Sequence, residues 1–173
     1  MRNKNLINNM RQTKIHEFFS SNPQINKINE INLHYKKNNF SNRSKYILRF
    51  DGASKGNPGK AGAGAVIYHN NDEIWNSSKY IGNKFTCNYA EYYALVLGLK
   101  GAIHKNISNL YVEGDSKLVI NQINGTYSIK SEQLKPLYNE AKDLIKNFNY
   151  INFKHIYRNF NTRADELANL LIK

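Results

Sequence analysis

Four acidic residues carry most of the chemical information in this sequence. Asp51 follows the apolar stretch 46–50 and stands just before a Gly-rich turn. Asp115 closes a second apolar stretch, "LYVEGD". Glu91 lies in "NYAEYYALVLGLKGAIHK", and positions three, four, seven and eleven further on are Ala94, Leu95, Gly98 and Ala102. That face is small and apolar, suited to packing on a sheet, so Glu91 points toward the sheet near the start of its helix. Asp165 lies beside another apolar stripe, Ala164, Leu167, Ala168 and Leu171. Ordinary roles exist for three of the four. Asp115 before Ser116 could cap a helix, Asp51 before Gly52 could serve a turn, and Asp165 could favour a helix dipole. Glu91 has no such role, because a lone buried carboxylate costs several kcal/mol. If the four converge, each like pair at about 4 Å repels by about 4 kcal/mol at an effective dielectric near 20. Bound divalent cations would remove that cost. An oxygen-only set suits Mg²⁺ or Mn²⁺, and the sequence has no Cys/His spacing of a zinc site.

These side chains need elements to hold them. "KYILRFDG", "AGAGAVIYH" and "EIWNSSKYIG" read as three strands, so 45–82 is expected to be an antiparallel meander. The Ala- and Leu-rich segment around Glu91 reads as a helix. "NLYVEGD" is a short buried strand, followed by a short helix in "SKLVINQI". "SEQLKPLYNEAKDLIKNF" is a further helix with Pro136 in its opening turns, where proline costs less. "NYINFKHIYR" is a fifth strand, and "NTRADELANLLIK" a last helix. A meander followed by alternating helix and strand gives an α/β fold, a mixed sheet with helices against its faces. Neighbouring strands would then bring the ends carrying Asp51 and Asp115 side by side, where α/β sheets present ligand sites.

Residues 1–44 read differently. They hold eight Lys or Arg, two Glu and eleven Asn, with no sustained period of 2 or 3.6. They are expected to be a disordered basic tail, with the folded domain at 45–173. Half of the net charge of +12 lies in the tail. A charge this high points to a polyanionic partner, nucleic acid or an acidic membrane surface. No apolar run reaches the roughly 18 residues of a membrane span, and the N-terminus lacks an apolar signal core. The single cysteine, Cys87, excludes an internal disulfide and fits a reducing compartment.

"DGASKGNPGKAGAGAVI", "TCNYAEYYAL", "VEGDSKLVINQ" and "HIYRNFNTRADELANLL" together, each with its carboxylate, resemble the type 1 ribonuclease H family, in its compact branch without a basic protrusion. The resemblance spans the whole of 45–173. It implies a five-stranded mixed sheet in the order 3-2-1-4-5 and cleavage of the RNA strand of an RNA–DNA hybrid by a monomer. It implies that Asp51, Glu91, Asp115 and Asp165 are the catalytic carboxylates, holding two Mg²⁺ ions (Mn²⁺ could substitute), one activating water and the other stabilising the leaving oxygen. Many members place a histidine in the loop before the last Asp. Here Arg158 stands seven residues before Asp165 and His155 ten, and the reading is Arg158 in the functional position, contacting the scissile phosphate, with His155 a strand residue. Cys87 stands where related sequences often have Asn. Thr86 would bind a phosphate of the DNA strand, and Asn88 would also contact the hybrid. "GASKGNPG" joins two strands, and its glycines, Gly52 first, would let the backbone approach the minor groove, with Lys55 and Asn57 as contacts. Gln122 on the short helix would reach the hybrid as well. Two other readings stand beside this one: a non-catalytic hybrid-binding module, and a nuclease for a single embedded ribonucleotide or an RNA–DNA junction.

The tail contains "RQTKIHEFFSS". Gln12, Ile15, Phe18 and Phe19 fit Q-x-x-aliphatic-x-x-aromatic-aromatic, which looks like the peptide that binds the trimeric sliding clamp of replication. One turn of 3₁₀ helix would gather Ile15, Phe18 and Phe19 into a plug, a short ordered anchor in a groove. Residues 20–44 would be the tether, spanning about 25–30 Å on average as a flexible chain. Such a clamp implies a nucleus, an archaeal cell or a viral replication compartment.

Overall fold

The structure, a computed structural model, describes residues 45–172. The tail and its motif at Gln12, Ile15, Phe18 and Phe19 lie outside the described residues. The described unit runs β1 (Tyr46–Lys55), β2 (Gly59–His69), β3 (Asp72–Phe85), α1 (Cys87–His104), β4 (Asn109–Gly114), α2 (Lys117–Ile123), α3 (Lys135–Ile145), β5 (Tyr150–His155), a 3₁₀ turn (Arg158–Phe160) and α4 (Thr162–Asn169). The five strands form one sheet in the order β3-β2-β1-β4-β5. β1, β2 and β3 pair antiparallel, whereas β1–β4 and β4–β5 are parallel. The sheet is therefore mixed, as the α/β reading anticipated.

Strand β1 determines where the site can be. Its parallel ladder with β4 stops at Phe50 opposite Gly114. Its antiparallel ladder with β2 continues to Lys55 opposite Lys60. Asp51 therefore does not end its strand, as the sequence suggested. It lies at the first position past the parallel ladder, where β4 turns away into α2. For the same reason the connection in "GASKGNPG" is shorter than expected: Gly52–Lys55 are still strand, held by pairing with β2.

Alternation along the strands sorts the two faces. Leu48 and Phe50 of β1 and Ala63, Ala65 and Ile67 of β2 are fully buried in the main core with Tyr92, Leu95 and Leu99 of α1. The opposite face of β2 carries glycines. A Cβ on Gly64 would lie 2.4 Å from both Ala164 O and Ala168 N, so only glycine lets α4 lie this close to the sheet. Val66, Ala164 and Leu167 close a smaller core there. The apolar stripe of α4 departs from expectation at one place. Leu171 is half exposed, because the helix ends at Asn169, and Ile172 takes the buried position instead.

Candidate active site

Each carboxylate arrives on a different element. Asp51 faces the α4 side of the sheet, opposite Gly64 across the β1–β2 ladder. Asp115 follows directly on β4. It is free of the capping role the sequence allowed, because the hydroxyl of Ser116 caps α2. Glu91 is brought in by a close crossing. A Cβ on Gly52 would lie 2.0 Å from Glu91 N and 2.2 Å from Ala90 C, so α1 can touch β1 at this residue only because it is glycine. Glu91 then accepts a hydrogen bond from the backbone N–H of Gly52. One ligand oxygen from each of Asp51, Glu91 and Asp115 falls within 4.8 Å of the others. Asp165, in the first turn of α4, borders this trio. Its Oδ1 receives the guanidinium of Arg158 at 2.5 Å.

The electrostatics follow from this crowding. Asp51 is only 5% exposed. Burial, then the charges of Asp115 and Asp165, push its pKa up to about 7, against the pull of Arg158. Burial also drives the Glu91 carboxyl well above its usual range, helped by the charges of Asp51 and Asp115, while the Gly52 N–H opposes. Glu91 Oε2 is buried with no hydrogen-bond partner among the described residues. A cluster of acidic oxygens that resists ionisation, with one oxygen left unmatched, is short of positive charge. The donor set, all oxygen and closely spaced, fits a hard divalent cation.

The other residues singled out in the sequence divide by exposure. Lys55 and Asn57 are exposed at the β1–β2 turn, and Asn57 Oδ1 accepts from the N–H of Cys87 at 2.9 Å. Thr86 is the N-cap of α1, its hydroxyl accepting from Tyr89 N at 3.2 Å. Asn88 is exposed one turn before Glu91. Gly52 is buried beneath α1, against the backbone of Ala90 and Glu91. Gln122 is 6% exposed. Its amide is held on both sides, accepting from Tyr92 OH at 2.8 Å and donating to Ser128 O at 3.0 Å. Asn88 and Gln122 line one side of an open groove of about 520 Å³ with Leu118, Tyr127 and Lys130. His155 ends β5, as expected of a strand residue, but its ring Nε2 also lies 3.2 Å from Asp115 O. Sequence reasoning missed Asn161. It is 1% exposed and donates to both Phe50 O and Asp115 Oδ1. Its signal was faint: an Asn at a helix start reads first as a cap.

A mixed sheet in this order, with carboxylates gathered where β1 and β4 part, defines a ribonuclease H-type domain. The family described as reverse transcriptase-like matches residues 49–171. The chain is 39% identical over 126 residues to the bifunctional protein Rv2228c of Mycobacterium tuberculosis, covering 72% of this chain and 35% of that protein. It thus spans about a third of that relative's length. The structure resembles ribonuclease H1 of Halobacterium salinarum, with a TM-score of 0.71 and 33% identity over 74% of this chain and 97% of that one. It also resembles LC11-RNase H1 in complex with an RNA/DNA hybrid, with a TM-score of 0.68 and 34% identity over 73% and 95% of the two chains. This chain belongs to the reverse transcriptase-like family and carries its ribonuclease H fold.

Proposed function

We propose that this protein is an endonuclease that hydrolyses the RNA strand of RNA–DNA hybrids. The observation that carries the reading is the convergence of Asp51, Glu91 and Asp115 within 4.8 Å where β1 and β4 part. Likeness to a ribonuclease H1 solved with a hybrid supports it. Asp51, Glu91, Asp115 and Asp165 would hold the cations, which we take to be two Mg²⁺ ions. Bound there, they would supply an activated water and stabilise charge on the leaving oxygen.

The chain's own residues do the rest. Arg158, with its side chain 75% exposed, presents a fixed positive charge at the rim of the site for the scissile phosphate. Lys55 and Asn57 offer contacts to the hybrid from the β1–β2 turn, and Thr86 and Asn88 from the start of α1. The Thr86 hydroxyl accepts from the helix and keeps its proton to donate to a phosphate oxygen. The full set of four carboxylates favours a working nuclease over a binding module that only recognises hybrids.

The same proposal includes delivery. The spacing of Gln12, Ile15, Phe18 and Phe19 fits a sliding-clamp peptide, and a flexible tether could raise the local concentration of the nuclease into the mM range. Primer removal, or excision of stray ribonucleotides, at clamp-bearing DNA is the role this implies. It would act in a nucleus, an archaeal cell or a viral replication compartment.

The test uses full-length protein, Mg²⁺ and two end-labelled substrates, a continuous hybrid and a DNA duplex with one ribonucleotide. Hybrid cleavage that disappears in Asp51→Asn supports the nuclease reading. Cleavage of the second substrate alone moves the role to ribonucleotide repair, and cleavage of neither, with Mn²⁺ also failing, leaves a binding module. Calorimetry against a trimeric clamp tests delivery. Heat that vanishes in Phe18→Ala/Phe19→Ala supports it; no heat, or heat that survives, refutes it.

A further inference from the structure

The side chain of Asn161 is spent in an unusual way. Ahead of a helix, an Asn ordinarily turns its oxygen onto the helix's own first N–H groups. Here α4 has no side-chain cap hydrogen bond. The amide turns inward instead. Nδ2 donates to Phe50 O at 2.8 Å and to Asp115 Oδ1 at 2.6 Å. Oδ1 is buried with no partner among the described residues. The local helix gives up its cap and one oxygen stays unmatched, so the compensation lies in what the amide holds.

It bonds one carboxylate directly, that of Asp115, and braces the strand residue next to a second, Asp51. Phe50 is the last β1 residue in the parallel ladder, and its carbonyl lies where β1 and β4 separate. Taking that carbonyl ties the start of α4 to the residue before Asp51. The second N–H fixes one oxygen of Asp115. The backbone carbonyl of Asn161 accepts the N–H of Asp165 at 3.1 Å, which places the fourth carboxylate on the same support. Glu91 has no such link to Asn161 and is placed by the crossing of α1 over Gly52.

The residue type suits the task. An Asn amide carries two donors and no charge. A Lys here would supply the positive charge the cluster lacks and compete with a cation. An Asp would add a further negative charge and could not donate when ionised.

We propose that Asn161 is the positioning residue of the carboxylate site. Its amide holds Asp115 in one orientation and ties the start of α4 to β1 beside Asp51, so that these two carboxylates meet a divalent cation together. This rests on reading the cluster as a cation site. Partners of metal-binding carboxylates commonly change metal affinity by about 10- to 100-fold when removed.

The experiment uses full-length protein with Asn161→Ala and with Asn161→Leu, which keeps the branched shape but has no donor. Mn²⁺ binding is measured by calorimetry, thermal melting in EDTA, and hybrid cleavage across a Mg²⁺ series. Both variants are expected to stay folded and to bind Mn²⁺ about 10- to 100-fold more weakly. Cleavage should recover in part at high Mg²⁺, with the KM for hybrid unchanged. A variant that melts lower but binds Mn²⁺ like the wild type would overturn the proposal, leaving Asn161 a merely structural hydrogen-bonder. Failure of both variants to fold would also count against it, since the amide would then support the fold and not the site. Wild-type protein that binds no Mn²⁺ would defeat the reading of the cluster itself, a result separable from either of these.

Discussion

Replacing Asp51 by Asn should stabilise the metal-free protein at neutral pH while abolishing cleavage. Asp51 is buried, and its pKa rises from 3.8 to about 7 in the folded chain. In the unfolded chain it returns to about 3.9. The folded state therefore binds this proton more tightly than the unfolded state does. The stability that follows is fully present below about pH 4 and is lost as pH rises through about 7. A shift of roughly three units at 1.36 kcal/mol each comes to about 4 kcal/mol. Asn has the shape of the protonated acid and never ionises. In EDTA at pH 8 the variant should be more stable than the wild type by about 2–4 kcal/mol, and near pH 4 the two should agree within about 1 kcal/mol. Urea unfolding followed by the fluorescence of Trp75, which packs against α1 at Gly101, reads this directly. Mg²⁺ should reverse the order by stabilising the wild type more than the variant. A variant that is no more stable at pH 8, or a gap that does not widen between pH 4 and 8, would refute the account of a carboxyl held protonated by burial and by its charged neighbours.

Three further outcomes follow from the packing. Gly52→Ala would place a methyl 2.0 Å from Glu91 N, so α1 must retreat. It should cost roughly 1–3 kcal/mol by thermal melting and lower hybrid cleavage by on the order of 100-fold, since displacing a positioned group by about 1 Å suffices. Tyr92→Phe removes the hydroxyl that donates to Gln122 Oε1 and leaves that oxygen buried and unmatched. A loss of about 1–3 kcal/mol in urea unfolding is expected, with hybrid turnover unchanged. Arg158→Ala removes an exposed partner of Asp165. Its melting temperature should barely move, because exposed pairs are worth about 0–1 kcal/mol, whereas single-turnover cleavage should fall on the order of 100-fold.

The carboxylates were legible in the sequence because each breaks an apolar pattern, and Glu91 breaks a helical one with no local excuse. The meander and the alternation of helix and strand were legible from period alone. What could not be read was how far β1 runs past Asp51. That length is set by pairing with β2, and a Gly-Ala-Ser-Lys stretch carries little strand signal of its own. The exposure of Leu171 had a similar origin: α4 stops two residues earlier, and the apolar stripe does not mark where. Asn161 escaped because its type predicts a cap, and only the fold shows an acceptor on a strand more than a hundred positions away. The close approach of α1 at Gly52 was invisible for the same reason. Nothing in "DGAS" says which helix will lie on it.

The supports of this site also bear on how the protein is made. Asp51 and Glu91 emerge early during synthesis, but the α4 segment that steadies Asp115 and carries Asp165 comes last among the described elements. A nascent chain stalled after β5 would hold the first three acidic groups with Asn161 and Asp165 still missing. Parallel pairing of β1 with β4 is itself a non-local step that forms slowly. Cleavage should thus switch on only when the domain closes, and products of synthesis that stop short of α4 should fail to cut a hybrid.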